Sequence, residues 1–164
     1  MCHLKRAVLF FEEDAAVPAG SKPLMLEAVL SCPILTWAGD RLRADGVQRL
    51  FVVCGPRFAE EARRCLSQPA QVSERWTELE AFLDTEEPVL VLPRAAFPMA
   101  EAGPGFAYAA PGRELSDIWR EKMTNYVQGA ELVSGWLPVY GTDTLAEIEE
   151  LARRRGMTAP AENE

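Results

Sequence analysis

The chain has 164 residues, enough for one domain with its own core. A formal net charge of −8 disfavours nucleic acid or anionic lipid as a partner, since either would want a basic face. No apolar run reaches the roughly 18 residues of a membrane span, and residues 1–6 (MCHLKR) lack the h-region of a signal peptide, so the expectation is a cytoplasmic protein. Cys2, Cys32, Cys54 and Cys65 form no C-x-x-C pair and read as reduced, mostly buried thiols. His3 is the only histidine, which argues against histidine-based catalysis and a histidine-containing zinc site.

Residues 7–11 (AVLFF) form a continuous apolar run and read as a buried strand. A loop follows, with Glu12, Glu13 and Asp14, then small residues, Pro18 and Gly20. Residues 23–30 (PLMLEAVL) suit a short strand or a helical turn. Ser31-Cys32-Pro33 reads as a helix start with Ser31 as cap, and Ile34, Leu35, Ala38 and Leu42 give that helix one apolar face ending at Gly46. Residues 49–53 (RLFVV) are the second strand. Gly55-Pro56 turns the chain into a charged helix over 57–66, Gln71-Val72 is a minimal third strand, and 73–83 a helix capped by Ser73. Residues 88–92 (PVLVL) are the fourth strand.

This β-α-β-α-β-α-β order implies a parallel, doubly wound sheet. Pro93, Pro98, Gly103, Pro104, Gly105, Pro111 and Gly112 then mark a long irregular connection, of a kind that is usually functional or a remnant. Residues 115–128 read as a helix and 131–133 as a last strand. A final helix covers 144–155, with Thr144 and Glu147 at capping-box spacing and Gly156 as its stop. Its run 147–150 reads as a solvated acidic face. Of Trp37, Trp76, Trp119 and Trp136, most are expected in the core, and any on the surface would mark a partner interface. Residues 1–157 are expected to form one domain and 158–164 a disordered tail.

Residues 7–66 resemble the N-terminal domain of the sugar-phosphate nucleotidyltransferases, and a looser likeness extends to Leu92. The likeness is nearest to the uridylyltransferase half of the bifunctional UDP-N-acetylglucosamine pyrophosphorylase/glucosamine-1-phosphate acetyltransferase. That family opens with a strand like AVILAAG, a loop GxGTRM, then LPKVL, GKPML, a helix and a strand ending VVVG. Residues 7–10 match the first strand, Pro23 the proline of LPKVL, Pro33-Ile34-Leu35 the PML of GKPML, and 46–55 (GVQRLFVVCG) the helix end and second strand. The likeness thins after Leu92; residues 117–135 and 143–150 compete for the family segment that leads out of its first domain. The resemblance implies a truncated three-layer, Rossmann-like α/β sheet, mostly parallel, with strand order 3-2-1-4 and helices on both faces. An unrelated, flavodoxin-like or small α/β binding domain stands as an alternative.

The departures fall at the chemistry. Where the family's glycine loop and arginine meet the triphosphate, this chain has Glu13, Asp14, Ala15, Ala16 and Val17. The lysines of LPKVL and GKPML are Leu24 and Cys32, and the magnesium aspartate aligns with Ala95. One carboxylate about 4 Å from a phosphate charge opposes it by roughly 4 kcal/mol at an effective dielectric near 20. A helix N-terminus returns only about 0.3–1 kcal/mol. The expectation is therefore a catalytically inactive relative without a cofactor, a pseudoenzyme acting on a protein partner or by self-association. An active nucleotidyltransferase is the alternative, with Mg²⁺ held by the loop acids and phosphate by Lys22 or Arg94. Glu13, Asp14, Lys22 and Arg94 are the candidate cleft residues, with the solvated acidic loop and surface cations as the plainer reading of each.

Overall fold

The computed structural model describes residues 5–10, 24–66, 70–92, 95–99, 107–113, 131–133, 135–139 and 142–158. The elements are β1 (Arg6–Phe10), a 3-10 turn (Leu24–Leu26), β2 (Ala28–Val29), β3 (Cys32–Pro33), α1 (Ile34–Ala44), β4 (Arg49–Val53), α2 (Pro56–Cys65) and β5 (Gln71–Ser73). There follow α3 (Trp76–Phe82), β6 (Pro88–Leu92), β7 (Ala96–Pro98), β8 (Ala107–Pro111), β9 (Glu131–Val133), β10 (Trp136–Pro138) and α4 (Thr142–Arg154).

The main sheet runs β5-β4-β1-β6-β8-β9. The first four strands are parallel, and β8 is antiparallel to both of its neighbours. In register, Ala7 stands beside Leu50 and Leu90, and Leu9 beside Val52 and Leu92. Alternate side chains of a strand point to opposite faces, and here both faces are covered. Ala7, Leu9, Leu50, Val52, Leu90 and Leu92 join Ile34, Leu35 and Ala38 of α1 and Ile148 and Ala152 of α4 in one cluster. Val8, Phe10, Phe51, Val89 and Val91 join Leu79, Phe82 and Leu83 in the other. Two buried faces explain why these strands are continuous apolar runs rather than alternating ones.

The connections explain which helix covers which face. From β1 the chain steps outward through α1 to β4 and through α2 to β5, then returns through α3 to β6 on the far side of β1. Right-handed crossovers in opposite directions put their helices on opposite faces. At the amino-terminal edge of the sheet, Arg6 and Arg49 are neighbours in register and both lie over the Phe82 ring, at 5.5 and 5.7 Å. The Arg6 guanidinium also donates to the Phe82 carbonyl (2.6 Å), a cation on the negative end of α3.

Several sequence expectations change. The connection over 93–113 contains two strands: β8 extends the main sheet, and β7 pairs with β10 in a small ladder of its own. Pro98 and Pro111 each sit at the end of a strand, where a missing N–H is tolerated. The strand at 131–133 is followed by β10. Helix α1 begins after Pro33 rather than at Ser31, which lies in a turn with φ 67. Ser73 ends β5, and its hydroxyl accepts the Arg75 amide (3.0 Å) ahead of α3. Helix α4 starts at Thr142, so the Thr144–Glu147 pair lies inside it. Glu149 is half-buried, and its carboxylate accepts the Leu30 amide (2.8 Å). Trp37 and Trp136 are buried, and the Trp37 indole donates to the Val29 carbonyl (2.9 Å). Trp119, the helix expected over 115–128 and the tail after Thr158 lie outside the described residues.

Both glycine stops operate by one mechanism. Gly46 has φ 101 and Gly156 φ 67. After α1, Val47 N–H bonds the Leu42 carbonyl (3.0 Å) and Gly46 N–H the Arg43 carbonyl (3.0 Å). After α4, Met157 bonds Ala152 (3.0 Å) and Gly156 bonds Arg153 (3.1 Å). Each is a Schellman closure, which satisfies carbonyls that the helix end would leave open.

Two glycines separate backbone strain from overlap. A Cβ on Gly46 meets open space, so Gly46→Ala should lose only about 1 kcal/mol, from the positive φ alone. A Cβ on Gly112 runs into the Leu83 carbonyl and the Thr85 methyl, so Gly112→Ala should lose about 1–3 kcal/mol or more. Urea unfolding of both variants checks the order; equal losses would contradict it.

Candidate functional site

In an open α/β sheet, ligands lie outside the carboxyl ends of the strands where the winding direction reverses. Here that point falls between β1 and β6, because β1 feeds the outward half of the sheet and β6 begins the return. The crevice is thus defined by Phe10 and Leu92, the last residues of those strands, and by the segments that leave them. Glu12, Glu13, Asp14 and Lys22 follow Phe10, and Arg94 follows Leu92; all five lie outside the described residues.

The described residues beside that point are apolar. Helix α1 follows β1 in the chain, and its first residues, Ile34 and Leu35, are fully buried. A helix N-terminus attracts anions through unbonded N–H groups, and here its first two positions are closed. Pro33, at the cap position, has no N–H, and the Ile34 amide already donates to the Glu27 carbonyl (2.8 Å). Helix α2 begins at Gly55-Pro56, after β4. A Cβ on Gly55 would lie 3.2 Å from Glu74 Oε1, so a carboxylate of this chain already stands near that helix start.

Segment 95–99, beyond β6, packs onto α1. Ala95, Ala96 and Phe97 are fully buried, and the Phe97 ring lies 5.0 Å from that of Trp37. The Ala95 carbonyl accepts Val139 N–H (2.9 Å), and the Gly135 carbonyl accepts Met99 N–H (2.8 Å), so the β7–β10 ladder is fastened at both ends. Gly135 has φ 100, and its Cα faces the Arg41 guanidinium, which also lies 5.7 Å from the Trp136 ring centroid.

Among the described residues no charged or polar side chain is buried, and no three His, Cys, Asp or Glu residues stand close enough to hold a metal. Cys32 and Cys54 are buried and Cys65 is half-buried. Of the positions singled out by the resemblance, Leu24 opens the 3-10 turn, Cys32 begins β3, and Ala95 sits in the core. Sequence reasoning missed that β7 and β10 close over α1. The alternation that would have disclosed those strands is absent from two three-residue elements that each end in proline.

No protein-family model matches the chain, and no curated protein matches it. Among solved structures, the inositol-1-phosphate CTP transferase from T. maritima is similar at 15% identity with a TM-score of 0.42. The similarity covers 60% of this chain and 46% of that one, so the chain spans under half of its solved neighbour's length.

Proposed function

We propose that the chain is a nucleotidyltransferase-like domain that has lost its phosphate grip and acts by associating with a protein, either a complete relative or a second copy of itself. The reading rests on the sequence resemblance over residues 7–92 and is supported by a mostly parallel sheet that reverses at β1 and β6. The observation that carries the loss of activity is Ala95. It occupies the place of the resemblance's magnesium-binding aspartate, is fully buried, and offers only a methyl group among apolar neighbours. A hard divalent cation needs oxygen ligands, and among the described residues neither Ala95 nor the apolar side chains of its core cluster supply one.

The other substitutions point the same way. Leu24 and Cys32 replace lysines, and Cys32 is buried with its thiol in the core. Val17 replaces an arginine within a stretch carrying three acids. The N-terminus of α1 has already committed its first amide to Glu27. Among the described residues, the start of α1 and segment 95–99 present apolar side chains where a nucleotide needs cations and N–H donors. The arginines of β1 and β4 lie at the opposite edge of the sheet, engaged with Phe82.

Titration calorimetry with UTP and CTP in the presence of Mg²⁺ should give no saturable heat up to millimolar nucleotide. Magnesium-dependent binding in that range would favour the active alternative, with Lys22 and Arg94 on phosphate. Restoring the missing aspartate should not restore function: Ala95→Asp places an uncompensated carboxylate in the core and should lower stability by about 3 kcal/mol or more. A folded Ala95→Asp variant of undiminished stability that binds Mg²⁺ would contradict this reading.

A further inference from the structure

The connection between β2 and β3 is two residues long, because Ala28 pairs with Pro33 and Val29 with Cys32. Both of its residues have positive φ, 54 at Leu30 and 67 at Ser31. Positive φ at both central positions is the pattern of a type I′ turn, which selects Asn-Gly or Gly-Gly. Leucine and serine pay a steric penalty there, since the left-handed region crowds Cβ against the backbone. Nothing local about Leu-Ser favours this geometry, so contacts from elsewhere must hold it.

Those contacts come from far along the chain. Leu30 N–H donates to Glu149 Oε2 (2.8 Å), 119 residues away on α4. The bond is partly buried and charge-assisted, which places it among the stronger hydrogen bonds. Helix α4 is seated by Ile148, adjacent to Glu149, and by Ala152 one turn on, both buried in the same core cluster as Val29 and Cys32. On the other side of the turn, the Val29 carbonyl accepts the Trp37 indole N–H (2.9 Å).

We infer that α4 is a latch: Glu149 holds the Leu30–Ser31 turn in its doubly left-handed form, and release of α4 lets residues 24–33 rearrange. The segment so controlled, residues 24–33, runs from the 3-10 turn to the start of α1. This inference is independent of the nucleotidyltransferase reading, because it concerns only contacts within the chain and its test uses no ligand.

Amide hydrogen exchange on the full chain tests it, using Glu149→Ala, Glu149→Gln, Leu30→Gly and the Glu149→Ala/Leu30→Gly pair. Glu149→Ala should speed exchange over 24–34 by about tenfold, as loss of one charge-assisted hydrogen bond predicts, while β4 and β6 keep their protection. Glu149→Gln keeps an acceptor oxygen and should stay within about threefold of the parent, having lost only the charge assistance. Leu30→Gly accepts the positive φ without strain, so alone it should not speed exchange over 24–34. In the pair it should cancel most of the Glu149→Ala effect, a non-additivity that a merely structural contact would not give. Unchanged exchange in Glu149→Ala, an equal rise across the whole sheet, or additive effects in the pair would overturn the latch.

Discussion

Strand β1 is paired in parallel on both edges and packed on both faces, and the rest of the molecule follows from that position. Its five residues stand between β4 and β6, with Ala7 and Leu9 on one side of the sheet and Val8 and Phe10 on the other. A strand so placed has no polar side chain to spare in its centre. Hydrophobic burial contributes roughly 25 cal/mol per Å² of apolar surface removed from water, and here it acts from both faces at once. The same position forces the winding to reverse, because the chain must build outward on one side of β1 before returning to the other.

Reversal opens a crevice at the carboxyl ends of β1 and β6, and the residues supplied there decide its use. Among the described residues they supply burial. Segment 95–99 closes against α1 through Ala95, Ala96 and Phe97, and the β7–β10 ladder locks that closure with backbone hydrogen bonds at Ala95 and Gly135. A core built this way resists the introduction of ionic groups, since each would be stranded without a partner. Scaffold and chemistry are separable in a sheet of this kind: the sheet depends on β1, while anion binding depends on exposed donors beyond the strand ends.

The sequence was legible where one physical cause dominated. The apolar runs that hold β1, β4 and β6 marked strands buried on both faces, and Gly46 and Gly156 marked helix ends because a residue tolerant of positive φ closes them. It was illegible where tertiary contact overrode local signals. Pro98 and Pro111 read as loop punctuation yet end strands, because a strand terminus does not need the missing N–H. Ser31 reads as a helix cap yet occupies a left-handed turn held by a carboxylate more than a hundred residues away. Glu149 reads as one acid among several on a wet helix face, and only the fold brings it to Leu30. The candidate cleft residues Glu13, Asp14, Lys22 and Arg94 were read from their place in the sequence, after β1 and β6, and lie outside the described residues.

The central claim is that the edge of the sheet beyond Phe10 and Leu92 no longer holds a nucleotide. Backbone amide NMR of the full chain, titrated with Mg²⁺ and UTP or CTP, reads that edge residue by residue. The account predicts that the resonances of Phe10, Leu92, Ala95 and Ile34 stay in place as nucleotide is added to millimolar concentration. Saturable shifts concentrated on those four residues, and absent from the amino-terminal edge around Arg6 and Arg49, would contradict it.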